Sequence, residues 1–168
     1  MEELLRRAQA GDAEAFIQII ERNKPSLYKV ARGFFSEPMD IEDVLSETVL
    51  SCWEYLPQLR KPEYLKTWLI RVLINRCTDV KRREARVVTM ETLPETPTQD
   101  PDPGNLGFES LINCLPRDYR PVMILFYGEG FTIKEIAKLL QLPAGTVSTR
   151  LKRGRERLAD ILKGKECV

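Results

Sequence analysis

The chain has 168 residues, 43% hydrophobic and 30% charged, which suits one or two small globular domains and excludes a large multidomain machine or a wholly disordered chain. Histidine is absent, and with it go the commonest general base and the commonest zinc ligand. The 26 Lys and Arg nearly cancel the 25 Asp and Glu, so a net charge of +1 says nothing about a polyanionic partner until its distribution along the chain is read.

Residues 1–11 carry Glu2, Glu3, Arg6 and Arg7 and no apolar run of signal-peptide length, and no later stretch approaches 18 apolar residues. The expectation is a soluble cytoplasmic protein without stable membrane insertion. Leu4, Leu5 and Ala8, then Ala15, Phe16, Ile19 and Ile20, then Val44, Leu45, Val49, Cys52 and Trp53 recur at spacings of three and four, the pattern of amphipathic helices. Glu37 to Glu54 holds six acids and no base, whereas Arg60 to Arg86 holds nine bases against three acids. Within the latter, Leu65, Leu69, Leu73, Cys77 and Val80 form an apolar stripe, and Arg71, Asn75, Thr78 and Arg82 fall on the opposite side. Tyr64 and Trp68 add aromatic surface near the start of this helix. Cation, amide and aromatic together suit single-stranded DNA, where bases stack on rings and phosphates meet arginines; a tryptophan such as Trp68, taken alone, is more often core than a stacking platform.

Pro94 to Gly104 contains four prolines and no apolar period, and the surrounding Glu91 to Glu109 carries five acids and no base. This reads as an acidic, flexible linker. The chain is therefore predicted to be all-α: two small helical domains, 1–88 and 107–168, joined by a Pro-rich linker over 89–106, with about four helices on each side. Cys52, Cys77, Cys114 and Cys167 show no CxxC pair and read as free thiols.

After the linker, Thr132 and Glu135 have the spacing of a capping box, with Ile133, Ile136, Ala137 and Leu140 behind them on one face. Gln141 and Leu142 make a turn, Pro143 suits a helix start, and Val147, Leu151, Gly154, Leu158 and Ile161 form a second stripe. This is the pattern of a helix-turn-helix. Thr149, Lys152, Arg153 and Glu156 lie opposite the second stripe, with Thr146 and Ser148 on its flanks, so a face of donors is free to enter a major groove of duplex DNA.

The runs 40–49, 67–75 with Asp79 and Arg82, and 143–155 together resemble the extracytoplasmic-function sigma factors of bacterial RNA polymerase. Residues 9–16 resemble that family's opening helix, and 115–120 the start of its second domain. The resemblance implies a non-enzymatic protein without catalytic residues, metal or cofactor. It implies that Asp40, Glu42, Asp43 and Glu47 dock on the basic coiled coil of core polymerase, with Ser46 standing where the family usually has glutamine. It implies that the loop 57–64, with Arg60, Lys61 and Tyr64, captures a flipped base of the −10 element, and that Trp68, Arg71, Asn75 and Arg82 serve single-stranded −10 DNA and strand opening. Thr146, Ser148, Thr149, Lys152 and Arg153 would meet the duplex −35 element, and an anti-sigma factor would hold the protein inactive. Two other readings stay open on the residues alone: a helix-turn-helix regulator that never melts DNA, and a nuclease using Asp40, Glu42 and Asp43 as magnesium ligands.

Overall fold

The apolar spacing of three and four becomes helix in both halves of the chain, and no strand occurs among the described residues, which in this computed structural model are 1–88 and 107–164. The Pro-rich linker lies outside them, as does Cys167. The chain divides into two compact units, Met1–Ala85 and Arg86–Val168.

In the first unit α1 (Glu2–Gln9), α2 (Ala13–Arg32), α3 (Pro38–Tyr55) and α4 (Leu65–Val88) follow one another, with single turns of 3-10 helix at Leu56–Gln58 and Pro62–Tyr64 between α3 and α4. The α1–α2 corner is built locally. Gly11 takes φ +95°, a left-handed value that disfavours a side chain, and Asp12 caps α2 by accepting from the Ala15 N–H at 3.0 Å while pairing with Arg7 at 2.6 Å. The Ala15 N–H and then the Arg7 guanidinium hold the Asp12 carboxyl below the usual carboxylate range. Leu5, Ile19, Ile41, Leu56, Leu69, Leu73 and Ile74 are fully buried and form the core.

The buried line of α3 differs from the predicted one. Ile41, Val44, Thr48, Ser51 and Cys52 are buried, Leu45 and Val49 only half-buried, and Trp53 is 39% exposed, tilted against Phe16 with ring centroids 5.0 Å apart. Thr48 and Ser51 can lie inside because each hydroxyl donates to a carbonyl one turn back, Val44 at 2.7 Å and Glu47 at 3.0 Å, so burial leaves no polar hydrogen unsatisfied.

Cys52 and Cys77 are free thiols, and burial pushes both up to about 12 from an ordinary 9.0. The unfolded chain loses these protons near its ordinary value and the folded chain does not, so stability contributed by the neutral thiols is complete below about pH 9 and lost as pH rises towards 12. We expect iodoacetamide at pH 8 to leave Cys52 and Cys77 unmodified in the native protein and to label both in denaturant; rapid native labelling at either would contradict their burial.

In the second unit α5 (Phe108–Asn113), α6 (Arg120–Met123), α7 (Ile133–Leu140) and α8 (Ala144–Leu162) follow, α6 continuing as a π-helical turn over Ile124–Gly128. Arg120 is only 3% exposed and donates to the carbonyls of Leu115 (2.9 Å) and Asn113 (2.8 Å), satisfying acceptors at the end of α5. Cys114, at the same helix end, is disulfide-bonded and not the free thiol that its sequence spacing suggests. A disulfide needs proximity in space, which spacing along the chain does not report. Gly154 of α8 is buried against Met123, and a Cβ there would sit 2.8 Å from the Met123 sulfur.

Candidate nucleic-acid interface

Three exposed surfaces carry the predicted residues. On α3, Asp40, Glu42, Asp43 and Glu47 are all exposed, and among the described residues none of their carboxylates forms an ion pair. At about 100° per residue they do not make a plain acidic stripe. The centre of the outward face is Met39, Asp43, Ser46 and Leu50, with Asp40 and Glu47 on one flank and Glu42 on the other. Met39 is 74% and Leu50 71% exposed, so two large apolar side chains stand inside the ring of acids, and reading the charges alone misses them. Large exposed apolar side chains among charged ones mark a face for a protein partner.

The second surface runs along the loop into α4. Arg60, Lys61, Glu63 and Tyr64 are exposed on the loop, with the Lys61 ammonium 5.7 Å from the Tyr64 ring centroid. Tyr64, Trp68, Arg71, Asn75, Thr78 and Arg82 then succeed one another at spacings of four and three on one face. Arg71, Asn75 and Arg82 are exposed, Trp68 and Thr78 half-buried. Trp68 is thus neither a core residue nor a free one: part of the indole packs and part faces solvent. Arg82 lies 3.9 Å from Asp79 and Thr78 donates to the Ile74 carbonyl at 2.8 Å. The basic block is smaller than its count, because Arg76 turns inward and donates to the Ser51 hydroxyl of α3 through Nε (3.1 Å) and Nη2 (2.7 Å). Its place beside Cys77, on the buried flank of the wheel, is the signal that separates it from Arg71.

The third surface belongs to α7 and α8. The Thr132 hydroxyl accepts from the Glu135 N–H at 3.3 Å and the Glu135 carboxylate accepts from the Thr132 N–H at 2.8 Å, which completes the predicted capping box. Gln141 turns the chain at φ 54° and ψ 45°, and Pro143 stands as the N-cap of α8. Val147, Leu151 and Gly154 are buried, Leu158 and Ile161 half-buried. Ser148, Thr149, Lys152 and Arg153 are exposed and Thr146 is half-buried, all on the outward side. Among the described residues Lys152 and Arg153 have no ion pair or hydrogen bond, whereas Arg150 is held by Asp118 and Arg155 by the Tyr127 hydroxyl at 3.2 Å. Thr146, Thr149, Arg150 and Arg153 line a shallow cleft of about 590 Å³ together with Asp118 and Tyr119.

Residues 19–87 match the family model for sigma-70 region 2, and residues 106–158 that for sigma-70 region 4. Over 157 residues the chain is 29% identical to the extracytoplasmic-function RNA polymerase sigma factor SigE of Mycolicibacterium smegmatis, covering 86% of this chain and 60% of that protein. Over 169 residues it is 28% identical to SigM of Mycobacterium tuberculosis, covering 95% of this chain and 83% of that one. The chain belongs to the extracytoplasmic-function sigma factors. Among solved structures, this sigma factor resembles RpoE of Bartonella quintana in complex with the anti-sigma factor NepR (TM-score 0.70, 25% identity, 90% of this chain and 98% of that one). It also resembles CnrH in complex with the cytosolic domain of CnrY (TM-score 0.63, 26% identity, 96% of each chain). The α3 and α4 surfaces fall inside the region 2 match and the helix-turn-helix inside the region 4 match, while α1 lies before the region 2 match. No described helix is long and apolar enough to cross a membrane. Among the described residues no three His, Cys, Asp or Glu side chains are grouped to hold a metal ion.

Proposed function

We propose that this sigma factor binds core RNA polymerase through the α3 face, captures and opens the −10 element with the 57–64 loop and α4, and contacts the −35 duplex with α8. The observation that carries the reading is the juxtaposition in the first unit of two opposite surfaces: uncompensated acids around Met39 and Leu50 on α3, and the exposed Tyr64, Arg71, Asn75 and Arg82 with the half-buried Trp68 along the start and face of α4. Phosphates repel the first and attract the second, so one suits a protein partner and the other DNA. A regulator that only binds duplex DNA needs neither. The division into function follows as 1–88 for core docking and −10 DNA, 89–106 as linker, and 107–168 for the −35 element. The sigma factor acts in the cytoplasm, catalyses no reaction itself and is held inactive by an anti-sigma factor; the solved complexes of RpoE with NepR and of CnrH with CnrY support that last part.

Run-off transcription with bacterial core polymerase on a randomised promoter library, read by sequencing transcripts, tests the reading. Initiation dependent on both proteins from templates sharing two spaced elements is expected, and no core-dependent initiation anywhere would overturn it. Replacing Lys152 or Arg153 with Ala separates their roles. A base-edge contact costs on the order of 1 to 3 kcal/mol and relaxes preference at one −35 position, whereas a phosphate contact weakens every sequence and flattens the salt dependence. Unchanged promoter affinity in the double variant would remove α8 from the duplex.

A further inference from the structure

Gln9 is the last residue of α1, and its side chain is joined to a loop about fifty positions away. Its Nε2 donates one hydrogen to the Leu56 carbonyl at 3.0 Å and the other to the Leu59 carbonyl at 2.7 Å. Leu56 caps α3, opens the first 3-10 turn and is fully buried, while Leu59 is the residue after that turn, where the backbone becomes extended and leads into the exposed Arg60 and Lys61. The carbonyls have few other partners: the Leu56 oxygen also accepts the Leu59 N–H at 3.1 Å, closing the turn that Gln9 spans. The donor is itself held in place. Leu5 and Ala8 bury α1, and the Gly11 corner with its Arg7–Asp12 pair fixes where α1 ends relative to α2.

We propose that Gln9 is a positioning residue for −10 recognition: it sets the path of the loop backbone at Leu56 and Leu59 and so the register in which Arg60, Lys61 and Tyr64 meet the captured base. The inference rests on the function proposed above and extends it to α1, which lies outside the region 2 match. A primary amide is suited to the task, because its two N–H groups diverge and can tie two carbonyls at once. Leucine has nearly the same volume and no donor; glutamate has the same shape but turns two acceptors towards two carbonyls. Lysine keeps the donors.

The test uses holoenzyme reconstituted from full-length protein and bacterial core polymerase, with single-stranded oligonucleotides spanning the −10 element of a promoter found by run-off transcription, in four versions at the captured base. Gln9→Leu and Gln9→Glu are expected to keep core affinity and −35 binding and to lose roughly tenfold in discrimination at that base, the effect of two ordinary hydrogen bonds, with other −10 positions unchanged. Gln9→Lys should retain most of the discrimination. If Gln9→Leu fails to fold, the comparison of Gln9→Glu with Gln9→Lys gives the same contrast. Discrimination as sharp in Gln9→Leu or Gln9→Glu as in the parent, or lost equally in Gln9→Lys, would overturn the positioning role while leaving promoter-directed transcription intact. A parent holoenzyme with no base preference at −10 would overturn the functional reading, and this inference with it.

Discussion

Reversing the charge of Asp43 and Glu47 together, as Asp43→Lys and Glu47→Lys, is expected to weaken the complex with core polymerase by on the order of 100-fold, or about 2.7 kcal/mol. Both side chains are exposed and make no ion pair among the described residues, so their removal costs the fold nothing and a melting curve should not move. Much of the loss should appear as slower association and should shrink at high salt, because exposed unpaired charges steer an approaching partner and are screened by salt. Met39→Ser with Leu50→Ser tests the other half of the face. Those substitutions should weaken binding without altering its salt dependence, since what they remove is apolar contact. Competition binding against a labelled sigma factor reads both effects. Core affinity that survives the double reversal would show that the α3 face is turned to something else.

The second large effect concerns strand opening. Trp68→Leu with Asn75→Ala should leave core binding and closed-complex formation near normal while reducing open complexes by roughly 100-fold, because a stacked base is worth about 1 to 3 kcal/mol and a hydrogen bond about 1 kcal/mol. Flipping and unstacking a base costs a few kcal/mol, which these contacts offset. A template with a mismatch bubble over −10 removes most of that cost and should partly restore initiation. Permanganate reactivity of −10 thymines on linear and bubble templates measures this directly. Because Trp68 is half-buried, its replacement also lowers stability, and Asn75→Ala alone supplies the control: Asn75 is exposed, so the single variant should melt like the parent and still open poorly. Normal thymine reactivity with Asn75→Ala would sink the assignment of α4 to melting.

What could be read from the sequence was whatever the local backbone decides. The Thr132–Glu135 capping box, the turn at Gln141 and the outward placement of Lys152 and Arg153 each follow from residues within a few positions of one another, and the structure holds them as read; that Gln141 turns with a positive φ is visible only in the structure. The α4 face was legible for the same reason, since 3.6 residues per turn puts Arg71, Asn75 and Arg82 in line. What escaped was decided by distant partners. Arg76 counted among the nine bases of the 60–86 block, and only its bond to Ser51, 25 residues earlier, shows that it turns inward. Gln9 had no partner in its own neighbourhood to advertise its bonds to Leu56 and Leu59. Thr48 and Ser51 escaped for a local reason: a hydroxyl bonded within its own helix can be buried like a methyl group, which breaks the apolar period of α3. Cys114 was misjudged because proximity in sequence stood in for proximity in space.

The Arg76–Ser51 contact has a mechanical side. Ser51 receives both guanidinium donors while passing its own hydrogen back to the Glu47 carbonyl, one turn along α3 and on the residue assigned to the polymerase contact. Two N–H groups of one guanidinium converge on a single hydroxyl oxygen, so the contact has a second donor in place should one bond lengthen. The helix proposed to dock on polymerase and the helix proposed to meet the promoter are therefore joined through one side-chain contact, Arg76 to Ser51. Loosening that contact would leave the α3 and α4 surfaces less firmly fixed in relation to each other.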